Sequence, residues 1–78
     1  MATDRLSRTI ALVFNVMPES ITDESTPDSV STWDSFGHLD LVMALEHEFG
    51  VSLSAEDALA MRSVGHIRTV LRNAGASL

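Results

Sequence analysis

The sequence predicts an all-α fold, a small bundle of three main helices plus one short helix. Apolar residues recur at helical spacing in three separate segments. Strand signals are nearly absent: Val51-Ser52-Leu53 alternates, but three residues cannot make a sheet. The chain has 78 residues and 8.4 kDa, which fits one domain over 1–78. At this size only about 60–65% of the unfolded surface can be buried, so the core is thin.

The first helix is expected over about residues 3–16. Leu6, Ile10, Val13 and Met17 form its stripe, with Phe14 beside it, and Asp4, Arg5, Arg8 and Thr9 fill the opposite side. Pro18 ends the pattern, because the residue before a proline is pushed out of the helical region. Residues 18–33 are rich in Ser, Thr, Asp and Pro, which compete with regular structure through local hydrogen bonds. They read as a long loop pinned to the core by Ile21, Val30 and Trp33. A loop of this length in a compact domain invites a functional explanation.

Helix 2 begins at Asp34-Ser35, where Asp34 can act as N-cap. Leu39, Leu41, Val42, Leu45 and Phe49 form a broad stripe, with Met43 at its edge. Asp40, Glu46, His47 and Glu48 are the polar complement, and Gly50 stands where a C-cap can. At 1.5 Å per residue this helix would be roughly 22 Å long. Ser54 caps a short third helix over about 55–60, with Glu56 and Asp57 in its first turn. Ser63 caps a fourth, in which Val64, Ile67, Val70 and Leu71 share a face and Gly75 terminates. Arg68 and Arg72 lie toward its C-terminal half, where cations suit the helix dipole. Met17, Met43 and Met61 read as core fillers.

The formal charge is −6. All five basic residues lie near the ends, and there is no lysine. Ten of the eleven acids fall between Glu19 and Asp57 without an intervening Lys or Arg, so the middle carries −10 and the ends +4. This balance argues against nucleic acid or anionic membranes as partners and suits an acidic face for basic ones. No apolar run approaches the roughly 20 residues of a membrane span. Met1-Ala2-Thr3-Asp4-Arg5 lacks a basic-then-apolar signal pattern, so a cytoplasmic location is expected. The absence of cysteine removes disulfides, thiolate nucleophiles and Cys-based metal sites together.

Ser35 is the residue that could carry chemistry. It falls in the first turn of helix 2, at the end of a long loop, beside free N–H groups and the positive end of the helix dipole. A phosphate ester is electrostatically tolerated there. On position alone, Ser35 reads as a small polar residue near a cap.

The wider pattern adds weight. Asp34-Ser35-Phe36, Leu39, the run Leu41-Val42-Met43-Ala44-Leu45-Glu46 and then Glu48-Phe49-Gly50 resemble the acyl carrier protein family. In that family an Asp-Ser-Leu motif opens helix 2. The upstream loop, the Ser54-to-Asp57 start of helix 3 and Ser63-Val64-Gly65 extend the resemblance over nearly the whole chain. It implies an acyl-carrier-like bundle in which a phosphopantetheinyl transferase attaches 4′-phosphopantetheine to Ser35. The arm's terminal thiol would hold an acyl group as a thioester, and acyl or aminoacyl ligases and downstream acyl-processing enzymes would be the partners. Asp34, Asp40, Glu46 and Glu48 would face basic partner surfaces. Phe36 joins this partner-binding set, and Leu39 and Met43 would supply apolar contacts beside the arm, for partners or for a folded-back chain. The folded-back state would require helices 2 and 3 to part. The protein itself would catalyse nothing and act as a monomer, raising the local concentration of a tethered group.

The departures from the family pattern are Trp33, Phe36, Gly37 and His38. Gly37 in a first helical turn costs about 0.5–1 kcal/mol against alanine and could permit close approach. Asp34-Ser35-Phe36-Gly37 resembles the D-alanine carrier proteins. Trp33-Asp34-Ser35-Phe36-Gly37-His38 resembles stand-alone carriers of polyketide, peptide and other specialised pathways. These residues point to a specialised acyl carrier rather than a housekeeping fatty acid carrier, with an aminoacyl or peptidyl carrier as the alternative. An unmodified acidic interaction module is a further alternative, and it would not need Ser35. His38, His47 and His66 are scattered, and the acidic loop lacks EF-hand spacing, so no metal site is expected. Ser35 and His38 could touch, but the chain is too small to supply the rest of a nucleophilic site. His38 is expected as a partly exposed polar residue, and His47 on the solvated side.

Overall fold

A computed structural model describes residues 4–77. Its helices are α1 (Arg5–Phe14), α2 (Ser35–Phe49), α3 (Ala55–Ala60) and α4 (Val64–Asn73), the all-helical order expected. No strand occurs among the described residues. Each helix opens on a short polar side chain that accepts from a backbone N–H three residues on: Asp4 from Ser7, Asp34 from Gly37, Ser54 from Asp57 and Ser63 from His66. At α3 the bond is reciprocal, since Asp57 also accepts from the Ser54 N–H at 3.0 Å. This capping box satisfies two end groups at once and supports a helix of only six residues.

Helix α1 is shorter than its apolar spacing suggests. Asn15 adopts a left-handed conformation (φ 58°, ψ 47°), and its N–H closes on the Ala11 carbonyl. Asparagine tolerates that region better than most residues. Met17 consequently falls outside the helix, extended ahead of Pro18 in a short 3-10 turn, and is 65% exposed. Its expected place in the core stripe is thus corrected, and Phe14 takes the central position instead. Thr3, the expected first residue of the helix, lies outside the described residues.

The core joins Leu6, Ile10 and Phe14 of α1 to Leu41 and Leu45 of α2 and to Val64, Ile67 and Leu71 of α4. Ile21, Val30 and Trp33 pin the long loop onto it, as expected. Met61 is buried as a core filler, whereas Met17 and Met43 are exposed. The loop has its own order. Ser25 and Ser29 hydroxyls accept from the N–H groups of Thr22 and Thr26, each at 2.9 Å. The Ser25 and Asp23 carbonyls accept from Val64 and Gly65, both at 3.0 Å, so the loop satisfies the otherwise unpaired start of α4.

Charged contacts fasten the ends. Arg68 bridges Asp4 at 2.8 Å and Asp23 at 3.2 Å. Burial alone would raise the Asp4 carboxyl; hydrogen bonds from Ser7 and the Arg68 guanidinium outweigh it and bring its pKa from 3.8 down to about 2. The same two carboxylates push Arg68 upward against its own burial. Arg5 pairs with Glu48 at 2.7 Å and lies over the Phe49 ring, 4.7 Å from its centre.

Candidate functional site

The site is organised by the junction of the long loop with α2. Asp34 caps the helix through its bond from Gly37 N–H at 2.8 Å, which leaves Ser35 as the first helical residue. Ser35 is exposed, and its hydroxyl has no hydrogen-bond partner among the described residues. It lines an open cleft of about 690 Å³. One wall is the loop at Thr26, Pro27 and Asp28; the other is Ala58 and Leu59 of α3 with Met61 and Arg62 beyond it. Trp33 and Met61, 3% and 2% exposed, form the floor.

Gly37 has a definite steric role. A Cβ at this position would press into the backbone carbonyl of Thr32, closer than the 3.0 Å that real Cβ contacts respect, and would crowd the Phe14 ring. A side-chain carbon at this point would force the loop or the start of the helix to shift. Thr32 also donates its hydroxyl to the Phe14 carbonyl at 2.8 Å, tying the loop end to α1.

His38 is half-buried and holds a bridge. The Trp33 indole N–H donates to its Nδ1 at 2.9 Å, and Nε2 lies 2.8 Å from the Ala58 carbonyl. An indole N–H only donates, so Nδ1 is the acceptor and the proton of the neutral ring sits on Nε2, which donates to α3. Trp33 stacks on Phe14, with ring centres 5.4 Å apart, and meets His38 edge to edge through the indole bond, the two rings within 12° of coplanar. A continuous line of contacts thus runs from α1 through the loop and α2 to α3.

Beside the cleft, α2 turns apolar groups outward. Phe36, Leu39 and Met43 are 84%, 62% and 64% exposed, and they share a face by their spacing. Leu39 had a place in the core-facing stripe by spacing; Leu41 and Leu45 hold that face instead, and Leu39 points to solvent. Leu59 of α3 is 78% exposed and lines the cleft. Asp40 is exposed next to this stripe. Glu46 is half-buried, and its carboxylate accepts from the Leu53 N–H at 2.8 Å, holding the α2–α3 connection. Glu48 is engaged by Arg5 on the α1 side. The acids of α2 therefore differ in availability: Asp40 is free of any bond among the described residues, and Asp34, Glu46 and Glu48 already hold the fold.

The structure brings Asp34, Ser35, Phe36, Leu39, Asp40 and Met43 to one end and face of α2, with Glu46 at the far edge. Sequence reasoning missed the bridging role of His38 and the cleft positions of Leu59 and Arg62. The Trp33–His38 spacing is not a helical one, and Ala58 is 20 residues from His38, so no local signal pairs them. His47 is exposed, as expected. Among the described residues no group of three His, Asp or Glu side chains converges to hold a metal ion, and no helix is long and apolar enough to cross a membrane.

No protein-family model matches the chain. Its sequence is 29% identical over 70 residues, 90% of this chain and 86% of the relative, to an acyl carrier protein of Thermosynechococcus vestitus. That distant likeness, spanning nearly the whole helical chain, supports a carrier-protein role in general terms.

Proposed function

We propose that the chain is a carrier protein that bears 4′-phosphopantetheine on Ser35 and delivers acyl groups to partner enzymes, in a specialised biosynthetic pathway. The observation that carries this reading is the setting of Ser35. Its hydroxyl is exposed, unengaged among the described residues, and opens a helix at the mouth of a cleft. A phosphodiester fits there because the first-turn N–H groups and the helix dipole favour negative charge. When attached, the arm supplies a flexible thiol to a chain that has none. In the transfer from coenzyme A, the Ser35 oxygen forms the new bond to phosphorus, its proton passes to a base of the transferase, and the nucleotide part of coenzyme A departs.

The chain's own residues do the rest by binding and orienting. Phe36, Leu39 and Met43 of α2, and Leu59 of α3, give exposed apolar groups for a phosphopantetheinyl transferase, a ligase and later acyl-processing enzymes. Asp40, and at the edges Asp34 and Glu46, give the α2 groups an acidic border suited to basic partners. Buried Leu41 and Leu45 keep α2 in place while its outer face is used.

The test is an intact-protein mass spectrum after incubation with coenzyme A and a broad-specificity phosphopantetheinyl transferase, beside Ser35→Ala. One added phosphopantetheine on the wild type alone is expected. No gain with several transferases would favour an unmodified acidic interaction module.

A further inference from the structure

We infer that His38 is a specificity-determining latch that keeps cargo in the surface cleft, so that the chain carries short, polar acyl groups rather than long alkyl chains folded into the core. This rests on the reading of Ser35 as the arm-bearing residue.

The cleft beside Ser35 is lined by the start of α2 and by α3, with buried Trp33 and Met61 at its base. His38 ties that base to α3 with both ring nitrogens. Nδ1 holds the Trp33 indole N–H at 2.9 Å, and Nε2 reaches the Ala58 carbonyl of α3 at 2.8 Å. An alkyl chain passing inward must separate α3 from α2 at this bridge. It would leave an indole N–H, a carbonyl and an imidazole in an apolar passage, and methylenes can replace none of those bonds. Trp33 cannot simply move aside, because it is stacked on Phe14, which is 1% exposed at the centre of the core. Behind it Leu41, Leu45 and Ile67 are fully buried and closely packed.

The cleft itself suits a different cargo. Thr26, Asp28, Asp34 and Arg62 place hydroxyl, carboxylate and guanidinium groups along its walls, with Pro27 and Leu59 between them. Its volume of about 690 Å³ is within the range of small-molecule sites. A short acyl group with hydroxyl or amino substituents can find hydrogen-bond partners there without disturbing the helices.

The experiment uses the whole chain, loaded at Ser35 with octanoyl- or 3-hydroxybutyryl-phosphopantetheine from the matching coenzyme A thioesters. Loading is confirmed by intact mass, so failure at that step counts against the arm on Ser35 and not against the latch. Nuclear magnetic resonance then follows the methyls of Leu41, Leu45 and Ile67. In the wild type, octanoyl loading is expected to leave these signals at their unloaded positions. In His38→Leu the same loading should shift them, and His38→Gln, which keeps one acceptor and one donor, should behave as the wild type. Hydroxylamine cleavage of the thioester gives a second readout. Wild-type octanoyl and hydroxybutyryl forms should be cleaved at equal rates, whereas a chain sequestered two-thirds of the time in His38→Leu would be cleaved about threefold more slowly. Octanoyl-dependent shifts of the buried methyls in the wild type, or threefold protection there, would overturn the proposal even if the Leu variant does not fold.

Discussion

Gly37 lies directly against the carbonyl oxygen of Thr32, with no room between them for a side-chain carbon. The contact fixes the angle at which α2 leaves the loop, and with it the presentation of Ser35 two residues earlier. Intrinsic helix propensity favours alanine over glycine here by about 1 kcal/mol. Overlap with a backbone atom opposes it, and overpacking of this kind typically costs about 1–3 kcal/mol. Because the obstructing atom belongs to the main chain, the steric effect should win. Gly37→Ala is expected to lower the thermal midpoint, by about 4–8 °C for each kcal/mol lost in a domain of this size. A melting curve above that of the wild type would show that the loop yields.

Ser35→Ala should leave stability within about 0.5 kcal/mol of the wild type, since the side chain is exposed and makes no bond among the described residues. The same change should abolish loading completely. Circular dichroism melts and intact mass separate the two effects. Any phosphopantetheine on the variant would place the attachment elsewhere.

Asp40→Lys is the clean probe of the acidic border, because Asp40 holds nothing in the fold. It should slow loading by a basic transferase at low salt, and the difference should shrink as ionic strength shortens the screening length to about 8–10 Å. Identical rates at low salt would reduce the acidic face to ordinary solvated surface. Glu46→Lys is expected to do more. It removes the acceptor of the Leu53 N–H, and an unsatisfied part-buried donor costs about 1–3 kcal/mol.

Asp4 predicts the acid limb of stability. Its folded pKa of about 2 lies below the ordinary 3.8, so its contribution is present above 3.8 and is lost as the pH falls toward about 2. Solvent exposure of the pair keeps this contribution modest. Asp4→Asn keeps a good N-cap but cannot titrate, and should flatten stability against pH across that window. Acid titration of both proteins by circular dichroism checks it; an unchanged acid slope would mean that the Ser7 and Arg68 hydrogen bonds do not hold the Asp4 carboxyl down.

Much of the architecture was legible residue by residue because its causes are local. A cap and its N–H partner lie three residues apart, so Asp34, Ser54 and Ser63 announce their helices, and Ser35 follows from Asp34 as the first helical position. Ile21, Val30 and Trp33 were legible as anchors because they are the large apolar groups in a polar stretch. The exposed stripe was less so. Spacing gives the angle of Leu39 around α2 relative to its neighbours, but not which arc of that circle another helix will cover.

Folding in three dimensions chose what meets across the chain. It set the Thr32 carbonyl against Gly37, the Ala58 carbonyl against His38, and Asp4 against Arg68, 64 residues away. It turned Met17 outward by ending α1 at Asn15, and it placed Leu59 and Arg62 on the wall of the Ser35 cleft. Periodicity and capping are written in neighbouring residues, because their bonds close within one helical turn. A cleft and its latch depend on how whole helices pack, and that follows from the sum of many weak apolar contacts rather than from any one spacing.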